Sequence, residues 1–121
     1  MSTSSYQDLR VWRRAIQLAL STYCCTATFP KHEMYGLAQQ MRRAAVSIAS
    51  NIAEGKGRNT DKEFRQFLFN ARGSLLELET QLLIAQELSY LPKDVYLQLR
   101  EGTKEVGRGL AGLLNALATV A

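Results

Sequence analysis

The side chains on which most catalysis depends are scarce in this sequence, and those present are poorly spaced for chemistry. The only histidine, His32, follows Pro30 in an expected loop. Serine and cysteine nucleophiles usually need a histidine as base, and His32 reads as a solvated residue of a loop or helix start. Cys24 and Cys25 are neighbours. Adjacent helical side chains diverge by about 100°, too far for an ordinary disulfide, and no second cysteine pair completes a metal set. They read as reduced, half-buried, small apolar residues. Glu63, Glu77 and Glu79 could suggest a carboxylate metal centre, but bundle sites of that kind pair glutamate with a histidine three residues on, and no such pair occurs. Gly55-Lys56-Gly57-Arg58 faintly resembles a phosphate loop. It lacks the preceding strand and the spacing, and it closes a helix, where the dipole repels anions; a phosphate there would depend on Lys56 and Arg58 alone. The expectation is a protein that is not an enzyme, with no catalytic residue, no metal and no cofactor.

Arg42, Arg43, Ser47, Ser50, Asn51 and Glu54 are more informative, because they line one side of an otherwise apolar segment. Arg43, Ser47, Ser50 and Glu54 follow a 4-3-4 spacing and share a helix face. Three readings are open: a solvated stripe, salt bridges from Arg42 and Arg43 to Glu77 or Glu79, or a surface that contacts phosphate. The bidentate fork of arginine suits either of the last two.

Four helical segments must position these groups. The first, about Gln7 to Ala27, carries one stripe at Leu9, Trp12, Ile16, Ala19 and Tyr23 and a second at Val11, Ala15, Leu18, Thr22 and Cys25. Together they make an apolar face wider than one partner helix needs, and Phe29-Pro30 closes the segment. The second, about Lys31 to Lys56, has Leu37, Met41, Ala44, Ile48 and Ile52 on one side and small residues elsewhere, with Gly55 and Gly57 fitting a left-handed C-terminal cap. Thr60-Asp61-Lys62-Glu63 is a capping box. It opens a third helix whose seam of Phe64, Leu68, Ala71, Leu75, Leu78, Leu82 and Ala85 repeats 4-3-4-3-4-3. That helix stops near Ser89-Tyr90-Leu91, and Pro92 suits the first position of the fourth.

The fourth segment repeats Tyr96, Leu99, Thr103, Val106, Leu110, Leu113 and Leu117. Beside that seam lies a row of Gly102, Glu105, Gly109, Gly112 and Ala116, with Gly107 nearby. An interior glycine costs about 1 kcal/mol relative to alanine, so the row implies either a frayed helix or a flat strip for another helix backbone. No segment alternates with period two, and the short connections favour antiparallel neighbours. The fold expected over residues 1–121 is one all-α domain, an antiparallel up-down-up-down four-helix bundle.

Composition agrees with a small globular chain: 121 residues, 46% hydrophobic and 21% charged, with no window apolar enough to span a membrane. The polar stretch from Met1 to Tyr6 does not read as a secretory signal, so a cytoplasmic setting is expected. The net charge of +4 is concentrated in the first half: residues 1–28 and residues 29–57 each carry +2, against −1 for residues 58–91 and +1 for residues 92–121. A modest basic excess permits salt-sensitive attraction to nucleic acid.

The run QQMRRAAVSIASNIAEGKGR (Gln39 to Arg58), followed by EFRQFLFNARGSLLELETQL (Glu63 to Leu82), resembles the small bacterial four-helix bundle proteins encoded within intervening sequences of 23S ribosomal RNA genes. DLRVWRRAIQLA (Asp8 to Ala19) and FPKHEMYGL (Phe29 to Leu37) fit as well, so the resemblance covers residues 6 to about 91. It implies a ring-like homopentamer with no known catalytic residues. Proteins of similar architecture serve as accessory subunits of reverse transcriptases in diversity-generating retroelements.

Two functions follow as expectations. In the first, the assembly binds RNA or DNA through phosphates with little sequence preference, using Arg10, Arg13, Arg14, Arg42, Arg43, Lys56 and Arg58. Five copies would raise +4 to about +20, a useful polyanion binder. Phe64, Phe67, Phe69 and Trp12 are expected in the core, with no aromatic platform for single-stranded bases. In the second, the chain is a scaffold or accessory subunit for a protein partner and uses its arginines in salt bridges.

Overall fold

The computed structural model describes Tyr6 and residues 9–118. Four helices carry the chain: α1 (Arg10–Thr26), α2 (Leu37–Lys56), α3 (Asp61–Glu87) and α4 (Lys93–Ala118). They form the expected antiparallel four-helix bundle, with no strand among the described residues. α1 packs on α2 and α4, α3 packs on the same two, and α1 and α3 lie across the diagonal. The expected helix start at Gln7 and Asp8 and the polar stretch Met1 to Ser5 lie outside the described residues.

The heptad seam of α3 is the spine of the core: Phe64, Leu68, Ala71, Leu75, Leu78, Leu82 and Ala85 are all buried. Met41, Ile48 and Ile52 of α2 and Val106 and Leu110 of α4 are fully enclosed with it. On α1 the second of the two stripes is the core one, with Val11, Ala15, Leu18, Thr22 and Cys25 buried. Leu9, Trp12 and Ile16 pack half-buried at its edge, and Tyr23 is exposed. The buried Thr22 and Thr26 hydroxyls return hydrogen bonds of 2.8 and 2.7 Å to the Leu18 and Thr22 carbonyls, which removes the cost of burying them.

The helix ends correct several expectations. Before α2, Lys31–Glu33 forms a 3-10 turn, and the α-helix begins at Leu37. Gly55 and Gly57 are not left-handed caps: Gly57 has φ −81°, and among the described residues no glycine has a positive φ. Gly55 is there for closeness. A Cβ on it would stand 2.7 Å from Phe67 Cβ and 2.9 Å from Phe64 Cδ1. The left-handed residue is Ser89 after α3, with φ 64°. The Tyr90 N–H donates to the Ala85 carbonyl at 2.9 Å and the Ser89 N–H to that of Gln86 at 3.0 Å, a Schellman closure.

Thr60 caps α3 as expected, accepting from the Glu63 N–H at 3.1 Å, while the Glu63 carboxylate turns to the Thr60 hydroxyl rather than to its backbone. Pro92 precedes the first helical residue, its carbonyl accepting the Tyr96 N–H at 3.0 Å. Late in α4 the seam passes to Leu114, which is buried, while Leu113 and Leu117 are half-buried. The 3.6-residue turn of a straight helix drifts off a strict heptad repeat in this way.

The glycine row of α4 is divided between uses. Gly109 sits against Val11, where a Cβ would meet Cγ2 at 2.6 Å, and Gly102 sits against Leu18 Cδ1 at 3.3 Å. The helix backbone that this strip admits is α1 of the same chain. Gly112 faces open space.

Candidate nucleic-acid interface

Antiparallel packing decides which of the candidate cations meet. Arg10, Arg13 and Arg14 lie in the first turns of α1, at the end of the bundle where α2 finishes with Lys56 and α3 begins after Arg58. Arg42 and Arg43 are near the start of α2, roughly 20 Å away at 1.5 Å per residue. The seven residues therefore form two groups at opposite ends.

At the first end, Arg10 and Arg13 are exposed. Arg14 is ion-paired to Glu105 of α4, and Arg10, Arg14 and Arg108 line a small cleft around that carboxylate. Lys56 lies over the Phe64 ring at 5.8 Å and Arg58 over Phe67 at 4.7 Å, with Arg58 also 3.8 Å from Glu54. At the other end, Arg42 donates from Nε to Thr26 Oγ1 at 2.8 Å and stacks on Tyr23 at 4.8 Å. Arg43 points to solvent. Of the three open readings of this face, the salt bridges from Arg42 and Arg43 to Glu77 or Glu79 do not form. Helix α2 turns Arg42 toward α1, whereas Ser47, hydrogen-bonded to Ser74 at 2.9 Å, is the residue that faces α3.

Several basic residues escaped the sequence reading. Phe69, expected in the core, is exposed and lies under two guanidinium groups, Arg65 at 5.7 Å and Arg72 at 4.9 Å. The spacing Arg65-Phe69-Arg72 was the available signal, since residues four and three apart share a helix face. Arg100 and Lys104 of α4 line a cleft against α3 with Glu79 and Leu83. Lys31, beside Arg42 and Arg43, was also missed; the turn that brings it there leaves no periodic trace.

The titratable groups with displaced pKa values lie at the end of the bundle that carries Lys31 and Arg42. Burial is the main reason that the Cys25 thiol is pushed up to about 11, with Cys24 adding to it; Cys24 itself is exposed. Glu33 is held below the ordinary glutamate value by the Leu37 N–H and then by the Tyr90 hydroxyl. Its Oε1 accepts from Leu37 at 3.1 Å and its Oε2 from Tyr90 at 2.9 Å. The Tyr90 hydroxyl is pushed up by the same carboxylate. His32 is exposed, 3.4 Å from that hydroxyl. Among the described residues no three histidine, cysteine or carboxylate side chains gather as a metal set, and no helix is long and apolar enough to cross a membrane.

The pattern of the 23S rRNA-intervening sequence proteins matches residues 7–112. The chain belongs to that family. The match runs through α1, α2 and α3 into most of α4, beyond the stretch on which the sequence resemblance rested. A similar solved structure is that of a protein of unknown function from the S23 ribosomal protein family of Bacteroides thetaiotaomicron. It is 18% identical, covers 87% of this chain and 95% of its own, and superposes with a TM-score of 0.81. At that identity the likeness is one of fold. No curated protein matches the chain.

Proposed function

We propose that this chain is a non-catalytic bundle of the bacterial cytoplasm that assembles with copies of itself and binds the phosphate backbone of RNA or DNA. The observation that carries this reading is the state of its cations. Arg10, Arg13, Arg43 and Lys31 are exposed and enter no ion pair among the described residues. Arg42, Lys56 and Arg58 are oriented by aromatic rings, which hold a cation without cancelling its charge. Such a surface attracts a polyanion by counterion release.

Self-assembly is supported by two unlike apolar features. On α3, Phe69, Leu76 and Leu83 recur every seven residues and are exposed. Between α1 and α4, across the bundle, a groove of about 660 Å³ is lined by Leu18, Leu20, Leu91, Val95 and Leu99. A ridge and a groove on different faces make a head-to-tail contact, which closes into a ring when the rotation permits, in keeping with the pentamer implied by the family resemblance. The same α3 ridge suits a protein partner, the accessory-subunit alternative.

Light scattering at micromolar concentration should give near five times 13.5 kDa. Binding to duplex DNA should weaken with salt at a log–log slope near −0.9 per phosphate neutralised. Charge reversal at Arg13 and Arg43 should weaken all sequences alike; Arg14 and Arg42 are poorer choices, because one holds Glu105 and the other Thr26. No binding to RNA or duplex at low salt leaves the scaffold reading in its place.

A further inference from the structure

Where α1 ends and α2 begins, an open cleft of about 690 Å³ combines three cations with two aromatic rings: Lys31, Arg42 and Arg43 with Tyr23 and Tyr35. No carboxylate lines it. Tyr35 is 92% exposed, an amphipathic ring left in water and in contact with no other ring among the described residues.

The segment that presents Tyr35 is anchored on both sides. The Met34 N–H bonds to the Lys31 carbonyl at 3.1 Å, and the Gly36 N–H to that of Glu33 at 3.0 Å. Glu33 ties the turn to α2 through the Leu37 N–H and to the α3–α4 connection through Tyr90. Gly36 makes this possible, since a Cβ there would stand 2.8 Å from Glu33 Oε1. Arg42 is fixed by Thr26 Oγ1 and Tyr23, and its other N–H groups have no partner among the described residues. Lys31 and Arg43 have no carboxylate partner among the described residues.

Cations alone would suit any phosphate, and rings alone any apolar group. Their combination suits a molecule that is flat at one end and anionic at the other. We infer that this cleft holds one unpaired nucleotide of a bound nucleic-acid strand, its base stacked on Tyr35 and its phosphate among Lys31, Arg42 and Arg43. The inference rests on the nucleic-acid reading above and adds to it a preference for unpaired strands, which the sequence did not lead one to expect. A base paired within a duplex is stacked on its neighbours and cannot lie on the ring.

The test uses the full chain and two fluorescent probes at low salt: an oligoadenylate of about ten nucleotides, long enough to track a basic groove, and a blunt duplex of the same length. Tyr35→Ala should lower affinity for the single strand by about 5- to 150-fold, the span found when a stacking ring is truncated, and leave duplex affinity unchanged. Tyr35→Trp should preserve single-strand binding. Arg43→Gln should weaken the single strand and reduce its salt slope by about one phosphate. Because Tyr35 is exposed, circular dichroism should show these variants folded. Unchanged single-strand affinity in folded Tyr35→Ala, or an equal loss on both probes, overturns the inference. If wild-type protein binds the duplex and not the oligoadenylate, the nucleotide site fails and the backbone-binding function stands. Binding to neither removes both.

Discussion

Replacing four helical glycines one at a time by alanine gives opposite signs according to what each glycine faces. Alanine is the better helix former by about 0.5–1 kcal/mol, so Gly73→Ala and Gly112→Ala, with nothing within 4 Å of the new methyl group, should be stabilised by that amount. At Gly109 the same methyl group would be 2.6 Å from Val11 Cγ2 and 2.8 Å from Val11 Cβ. A β-branched side chain is stiff at χ1, so α1 and α4 must separate. At Gly55 it would meet Phe67 Cβ at 2.7 Å, Phe64 Cδ1 at 2.9 Å and the Phe64 carbonyl oxygen at 3.2 Å. Overpacking of this kind costs about 1–3 kcal/mol. After subtraction of the propensity gain, Gly55→Ala and Gly109→Ala should lose about 1–2 kcal/mol. Urea unfolding followed by circular dichroism reads this as midpoint shifts of roughly 0.5–1 M at a typical slope for a small domain. All variants must be compared at one protein concentration, because assembly would make the midpoint concentration-dependent. If Gly109→Ala proves as stable as Gly112→Ala, the close approach of α1 to α4 is wrong, and with it the use of the glycine row inside the bundle.

Leu78→Ala empties a fully buried site in the α3 seam and should cost about 2–5 kcal/mol; an unmoved urea midpoint contradicts the register of that helix. A carboxyl held low in the folded state contributes stability that is complete above its unfolded pKa and is lost as pH falls through the lower folded value. Stability should therefore decline below about pH 4.5, the ordinary value for Glu33, and Glu33→Gln should lose that part of the acid dependence. Parallel pH profiles for the two proteins would refute this. A thiol-alkylating reagent at pH 8 or so should label Cys24 and spare the buried Cys25, because only the thiolate reacts and burial keeps Cys25 neutral to about 11; two labels on native protein would contradict it.

What was legible in the sequence was whatever depends on period. The α3 seam, the α2 core positions and the Thr60 cap are local patterns, and each occupies its expected place. The errors have a common cause in contacts between helices. Gly55 has the composition of a cap and the environment of a packing contact, because Phe64 and Phe67 fold back upon it across the α2–α3 turn. Phe69 has the composition of a core residue, yet α3 already fills its core face with Leu68 and Leu75, and Phe69 is left outside beneath Arg65 and Arg72. The candidate site was less legible still. Tyr23 and Tyr35 are twelve residues apart in the sequence, and only the chain reversal through the 3-10 turn brings both beside Arg42 and Arg43.

The same contacts bear on the choice between a scaffold and a polyanion binder. A bundle that used its arginines to hold itself together would place them opposite glutamates. Here Arg14 does so, paired with Glu105 of α4, but among the described residues Glu77 and Glu79 have no arginine partner, while Arg42, Lys56, Arg58, Arg65 and Arg72 lie over aromatic rings. A carboxylate orients a guanidinium and cancels its charge; a ring orients it and leaves the charge in place. Among the described residues, only Arg58 of those five also has a carboxylate within 4.0 Å, in an exposed pair with Glu54 of the kind that salt readily screens. Such a contact contributes about 0.5–1 kcal/mol to the fold at an exposed site and leaves the cation free to meet an anion. It reduces the ordering cost when an anion arrives, since the side chain is already held. The arrangement of rings beneath cations therefore favours the polyanion reading over the scaffold, and it does so on contacts that the net charge alone could not have distinguished.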